Sequence, residues 1–184
     1  MNQAFTSRIM SRAEIELLWT IDRSEVIEKV YDLREGELVL RPDPFDLRGW
    51  PPGEAETYKP LMVACYDRGG VFTGVFDGPR LIGAAVVDTQ FTGPKHDLLQ
   101  LKFLHVSHNY RKQGVGAYLF EQAKAIAAER GAGGLYISAT PSENTVNFYR
   151  HLGCRVISEP DPELLALEPD DIHFEADILI ERQG

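Results

Sequence analysis

The stretch that decides the fold reads Leu101-Lys102-Phe103-Leu104-His105-Val106-Ser107-His108-Asn109-Tyr110-Arg111-Lys112-Gln113-Gly114-Val115-Gly116. Residues 97–106 are strand-like, with Leu99, Leu101 and Phe103 on one face and Gln100, Lys102 and Leu104 on the other. A basic loop containing two glycines follows. Val115, Leu119, Ala123, Ile126 and Ala127 then recur at helical spacing, and Gly131 predicts the stop of a helix over 116–130. Strand, short loop, helix is an arrangement suited to anions. Gly114 and Gly116 let backbone N–H groups come close to a ligand, Arg111 and Lys112 add charge, and the helix start adds the positive end of its dipole. That dipole stabilises a phosphate by about 1–2 kcal/mol before hydrogen bonds add their share.

Two familiar phosphate motifs do not fit. No G-x-x-x-x-G-K-[ST] run is present, and the G-x-G here continues into Ala117 without a dinucleotide-binding strand–helix–strand start. The spacing alone therefore leaves open both an anion site and a glycine-rich turn that merely begins a helix.

Working outward, residues 14–22 read as a first strand and residues 26–31 and 37–40 as a hairpin around Gly36, while the prolines of 41–52 read as a loop. A helix is expected over 54–66, with Tyr58, Leu61, Met62 and Cys65 on one side and Pro60 in its first turn or bending it. Residues 71–76 and 81–88 form a second hairpin through Asp77-Gly78-Pro79-Arg80. Beyond the central helix come a short buried strand over 134–139, a helix capped by Ser142 and ended by Gly153, and strands over 155–157 and 172–180. The carboxylates between 159 and 171 read as a solvated loop.

The 184 residues favour one domain, long enough to bury a core without disulfides or metals. A net charge of −9 makes nucleic acid a poor partner. No apolar run suits a signal peptide or a membrane span, and the two thiols, Cys65 and Cys154, suit a reducing compartment, so a cytoplasmic location is expected.

The quoted block, with Asn147-Phe148-Tyr149-Arg150-His151-Leu152-Gly153-Cys154 downstream, resembles the GNAT superfamily of N-acetyltransferases. It matches the family's strand ending in hydrophobic-x-Val, its [Q/R]-x-x-G-x-[G/A] loop and its F-Y-x-x-x-G-[F/C] segment, over roughly residues 81–157. The fold implied is α+β: a mixed, mostly antiparallel central sheet flanked by helices, its fourth and fifth strands splayed. One acetyltransferase domain would span 1–184, with an N-terminal strand and hairpin region over about 1–52 and the coenzyme-binding core over about 81–157.

The resemblance implies acetyl-CoA as co-substrate and no metal. Leu104, His105 and Val106 would lie along the pantetheine arm, Arg111, Lys112, Gln113, Gly114, Val115, Gly116 and Ala117 would hold the pyrophosphate, and Tyr149 would assist the departing thiolate. Two departures stand out. Where many members have an asparagine seven residues before that tyrosine, this chain has Ser142, with Asn144 two later; either is a coenzyme contact. Where some have a glutamate base eleven residues before the loop's first residue, this chain has Gln100, which takes no proton at neutral pH. Deprotonating a lysine-like amine at pH 7 costs about 4.6 kcal/mol and an α-amine only about 1. A less basic amine, a water relay, or a base such as His96, Asp97, His105 or Glu143 would meet that cost. Gln100, Lys102 and Trp50 are candidate acceptor contacts. The expected reaction is acetyl transfer to a primary amine of a small molecule or peptide by direct attack, in a monomer or homodimer. A non-catalytic coenzyme A-binding sensor is the alternative.

Overall fold

The computed structural model describes residues 5–178. After strand β1 (Thr6–Ile9), the first departure from expectation appears: residues read as a strand form a 3-10 helix, Arg12–Thr20. The Ser11 N–H and hydroxyl both donate to the Glu14 carboxylate, at 2.8 and 3.0 Å. Ile15, Leu18 and Ile21, three apart, are all buried. A three-residue period matches the 3-10 turn, whereas a strand would send Leu18 and Ile21 to opposite faces.

The hairpin β2 (Glu25–Arg34) and β3 (Glu37–Leu47) turns through Glu35 and Gly36, both at positive φ, as Gly36 suggested. β3 runs through the stretch read as a loop. Pro42 and Pro44 are exposed in this separate two-stranded sheet, where a missing N–H costs no ladder bond. Helix α1 (Glu54–Asp67) carries Pro60 inside it, beyond the first turn; Met62 and Cys65 are buried and Leu61 is exposed.

β4 (Val71–Asp77) and β5 (Arg80–Thr92) form the expected hairpin, followed by β6 (Leu98–Val106), α2 (Val115–Glu129), β7 (Gly134–Ala139) and α3 (Glu143–His151). β8 (Arg155–Val156), α4 (Pro162–Leu167) and β9 (Ile172–Asp177) complete the described chain. The acidic stretch expected to be loop contains α4, because the Asp161 carboxylate accepts from the Glu163 and Leu164 N–H groups and Pro162 opens the helix. Leu179 and Ile180, read as the end of the last strand, lie outside the described residues.

The main sheet has the order β1-β4-β5-β6-β7-β9-β8. Its registered pairs are antiparallel except β6 with β7, which run parallel over Leu98↔Gly134, Leu99↔Leu135 and Gln100↔Tyr136. This is the α+β class expected, a mixed, mostly antiparallel sheet flanked by helices.

The chain forms two compact units. The first comprises residues 5–25, Asp46–Thr89 and Leu101–Ala123. Its core gathers Met10, Ile15, Leu18 and Ile21 with Met62, Cys65, Phe72, Phe76, Leu81, Val86 and Phe103. Into this core is set a charge cluster: Asp88, 3% exposed, accepts from Arg68 through both carboxylate oxygens and lies 3.7 Å from the Lys102 ammonium. The second unit comprises Val26–Phe45, Gln90–Gln100 and residues 124–178. In it the β2–β3 hairpin docks on the start of α3: the Tyr31 N–H donates to the Pro141 carbonyl, the Tyr31 hydroxyl to Asn147, and Val30 bridges Ser142.

Candidate functional site

In the first unit, β6 ends at Val106 and a single 3-10 turn, His108–Tyr110, leads into the basic loop. Lys112 (φ 60°) and Gly114 (φ 84°) both adopt left-handed conformations, the strained Lys112 marking a loop held by its surroundings. The helix ladder begins with the Tyr118 N–H to the Gly114 carbonyl at 2.9 Å. The amides of Val115, Gly116 and Ala117 therefore precede the ladder and, among the described residues, have no backbone partner, so they can meet an anion. Gly83 on β5 makes this close approach feasible: a Cβ there would press on Val115, Leu119 and the His105 carbonyl at 3.1–3.3 Å.

Arg111 does not offer its guanidinium freely. Nε donates to the Val106 carbonyl at 3.1 Å and Nη1 to Glu25 at 3.2 Å. The Asp22–Glu25 segment is tied to the same region by the Asp22 N–H to the Ser107 hydroxyl, the His108 N–H to the Asp22 carbonyl, and the His108 ring to the Ser24 carbonyl. Tyr110 donates to Asp77 at 2.8 Å. These bonds fix the loop from several sides. Lys112 and Gln113 are exposed, the latter bonding only the Asn109 carbonyl among the described residues.

Along β6, His105 contacts the edge of Trp50 (centroids 5.4 Å) and Phe103 (4.7 Å). Burial, reinforced by Arg23 and Arg111, pushes its pKa down to about 3. It is neutral through the working range and a weak base. Trp50 donates to the Ile21 carbonyl and stacks on Phe103, and the Arg23 guanidinium lies 4.5 Å over its ring. Lys102 is committed to Asp88, which engages this candidate acceptor contact in the charge cluster.

In the second unit, Ser142 is buried and caps α3, accepting from the Thr145 N–H and donating to the Thr145 hydroxyl. Asn144 is exposed in the first turn. Tyr149 is 6% exposed, against Phe148 and Phe174. Burial, with Cys154 and Asp171 nearby, raises its pKa further above the ordinary phenol value, so the hydroxyl stays protonated. Cys154 is buried and its thiol is pushed up to about 12, as a residue filling an apolar slot should be and a nucleophile should not. Gln100 pairs with Tyr136 and is half-buried.

The sequence profile of the Acetyltransferase (GNAT) family matches residues 28–154. The chain belongs to the GNAT acetyltransferase family. The profile starts upstream of residue 81, where the resemblance first became legible, and takes in the β2–β3 hairpin. No curated protein sequence matches. Among solved structures, a nourseothricin acetyltransferase superimposes with a TM-score of 0.70 at 19% identity, covering 95% of this chain and 99% of that one. A putative streptothricin acetyltransferase from Bacillus anthracis in complex with acetyl coenzyme A gives 0.69 at 17%, covering 94% and 96%. The ribosomal-protein-S18-alanine N-acetyltransferase of Escherichia coli gives 0.60 at 12%, covering 95% and 94%. At these identities the likeness is one of fold.

Within the GNAT frame, the first unit brings together Leu104, His105, Val106 and the loop from Arg111 to Ala117, and adds Trp50 beside His105. The second unit holds Gln100, Ser142, Asn144 and Tyr149. Arg23 and Glu25 escaped the sequence reading. They sit in Ile21-Asp22-Arg23-Ser24-Glu25, which carries no periodicity, and their importance arises from partners distant in sequence, 31 positions away for Glu54 and 86 for Arg111. Among the described residues no group of His, Cys, Asp and Glu is arranged to hold a metal, and no helix is long and apolar enough to cross a membrane.

Proposed function

We propose that this protein is an acetyl-CoA-dependent N-acetyltransferase that moves the acetyl group to a primary amine of a small molecule or peptide by direct attack in a ternary complex, in one cytoplasmic domain. The observation that carries this reading is the Arg111–Ala117 loop. Its helix-start amides precede the ladder, in a chain whose family is defined by acetyl transfer.

The amides of Val115, Gly116 and Ala117 bind the pyrophosphate, and Lys112 adds its charge from the loop surface. Arg111 acts one step back: it fastens the loop to Val106 and Glu25. The backbone of Leu104, His105 and Val106 runs beside the pantetheine arm and supplies an N–H to the oxyanion that forms when the amine attacks the thioester carbonyl. The C–S bond then breaks, Tyr149, firmly protonated, donates a hydrogen bond to the departing thiolate, and the proton shed by the acylated nitrogen passes through solvent to that sulfur, giving free coenzyme A. Ser142 serves this arrangement as the cap that sets the first turn of α3, leaving Asn144 as the exposed polar group there. Neither Gln100 nor the low-pKa His105 accepts the amine's proton readily, which leaves a less basic amine, a water relay, or a base such as His96, Asp97 or Glu143 to meet that cost.

Incubation with acetyl-CoA and a panel of polyamines, amino acids and peptide N-termini, read as free-thiol release and as a 42 Da gain (about one acetyl group), is expected to show acceptor-dependent turnover. Binding without turnover of any acceptor would favour the coenzyme sensor instead. Gly114→Val tests the loop. A Cβ at Gly114 meets no atom within 4 Å, and φ there is 84°, so the change acts first through the backbone. Backbone strain of ~1–3 kcal/mol is expected to weaken acetyl-CoA binding about tenfold or more, measured by calorimetry, with the fold retained.

A further inference from the structure

Arg23 is placed as few surface arginines are. Its side chain is only 14% exposed, its guanidinium lies 4.5 Å over the Trp50 ring, and Nη1 donates to Glu54 at 2.6 Å. Trp50 is itself pinned, by its donation to the Ile21 carbonyl and by stacking on Phe103. The guanidinium is thus held between the Trp50 ring and Glu54, yet among the described residues Nε and Nη2 have no hydrogen-bond partner. Planar guanidinium donors on the side away from an existing ion pair match the two oxygens of a carboxylate. The Trp50 ring centroid lies 5.4 Å from that of His105, on the strand segment assigned above to the pantetheine arm.

We infer that Arg23, backed by Trp50 and oriented by Glu54, binds the carboxylate of the acceptor, and that the acceptor is an amino acid whose amine and carboxylate share one carbon. The inference rests on the acetyltransferase reading and narrows its substrate class. Glu54 is occupied by Arg23, so it is not an open socket for the ammonium of a polyamine.

The same placement answers the missing base at Gln100. A free amino acid's carboxylate stabilises its own ammonium; pairing that carboxylate with Arg23 removes the stabilisation and sets a cation beside the amine. Burial first, then Arg23 and Arg111, favour the neutral form of the neighbouring His105 in the same direction. The ammonium loses its proton to water under the same influence, and the neutral amine attacks; Arg23 therefore contributes to binding and to activation.

The test compares matched pairs, such as phenylalanine with phenethylamine and methionine with 3-(methylthio)propylamine, in wild type, Arg23→Gln and Glu54→Gln. Acetyl-CoA binding is measured separately by calorimetry. The amino acid is expected to exceed its decarboxylated partner at least 50-fold in kcat/KM in the wild type. Arg23→Gln should collapse that ratio to within threefold, through a fall in kcat/KM for the amino acid that exceeds any fall for the plain amine at least 15-fold, with acetyl-CoA still bound. Glu54→Gln should keep a preference of more than tenfold. Because the ratio is internal to each variant, partial misfolding does not imitate the result. A wild type that prefers the plain amines, turns over only peptides or no amino acid at all, or keeps its ratio in Arg23→Gln overturns the inference, while intact acetyl-CoA binding leaves the broader reading standing. Loss of acetyl-CoA binding in the wild type is the failure of that broader reading and takes this one with it.

Discussion

Replacing Tyr149 with phenylalanine is expected to lower kcat by about 10–100-fold while KM for acetyl-CoA stays within about threefold, since the lost bond of ~1.5–3 kcal/mol is made to charge present only as the thioester breaks. The size is bounded from both sides. A thiolate of pKa near ~8.5 leaves with little help, which keeps the loss below the upper range for general acids. The raised pKa of Tyr149 keeps its proton in place, so the hydroxyl donates at every working pH. The wild-type kcat–pH profile should accordingly lack a limb from Tyr149 below about pH 10. Steady-state kinetics with a saturating acceptor reads both numbers. A kcat within twofold of wild type would make Tyr149 the core aromatic that its 6% exposure also fits.

The largest stability effect is expected at Asp88. Removing its carboxylate in Asp88→Ala takes from the half-buried Arg68 the two-oxygen acceptor of its guanidinium. A broken buried pair costs about 3–5 kcal/mol; Arg68 is 31% exposed, and solvent screening discounts its share to give about 2–4 here. For a chain of this length that is a fall in Tm of roughly 4–16 °C. Burial alone would raise the Asp88 pKa, but the bonds from Arg68 and the Thr89 N–H, with Lys102 nearby, offset burial and leave it lowered. A carboxyl lowered on folding stabilises above its unfolded value and loses that contribution as pH falls through its folded one. The denaturation curves of wild type and Asp88→Ala should therefore differ at pH 7 and converge below about pH 4. Equal stability at pH 7 would mean that the cluster is compensated elsewhere.

Much of the architecture was legible because local signals agreed with tertiary packing. Ser142 predicted the cap of α3, Gly36 and Gly78 the two turns, and the alternation of Leu99, Leu101 and Phe103 the strand that leads to the loop. The misses have particular causes. Residues 14–22 are apolar enough for a strand, but Ile15, Leu18 and Ile21 repeat with period three, and only the Ser11–Glu14 pairing announced a helical start. Pro42 and Pro44 argued for a loop, yet they sit in an exposed strand of a two-stranded ribbon. The strand–loop–helix course of residues 98–129 was legible from spacing, whereas the bonds that hold the Arg111–Ala117 loop were not. Glu25 reaches Arg111 across 86 positions, and Arg23 reaches Glu54 across 31, and no local pattern encodes either. Lys102 looked available on the strand face and proved to be tied to Asp88.

Titration of acetyl-CoA into the protein by calorimetry, beside ATP and NAD at the same concentrations, tests the central claim most directly. Saturable one-to-one binding of acetyl-CoA at micromolar affinity, weakened about tenfold by Gly114→Val and not matched by ATP or NAD, is the predicted result. Binding of ATP or NAD in preference to acetyl-CoA, or acetyl-CoA binding indifferent to Gly114→Val, would contradict the assignment of the Arg111–Ala117 loop to the coenzyme.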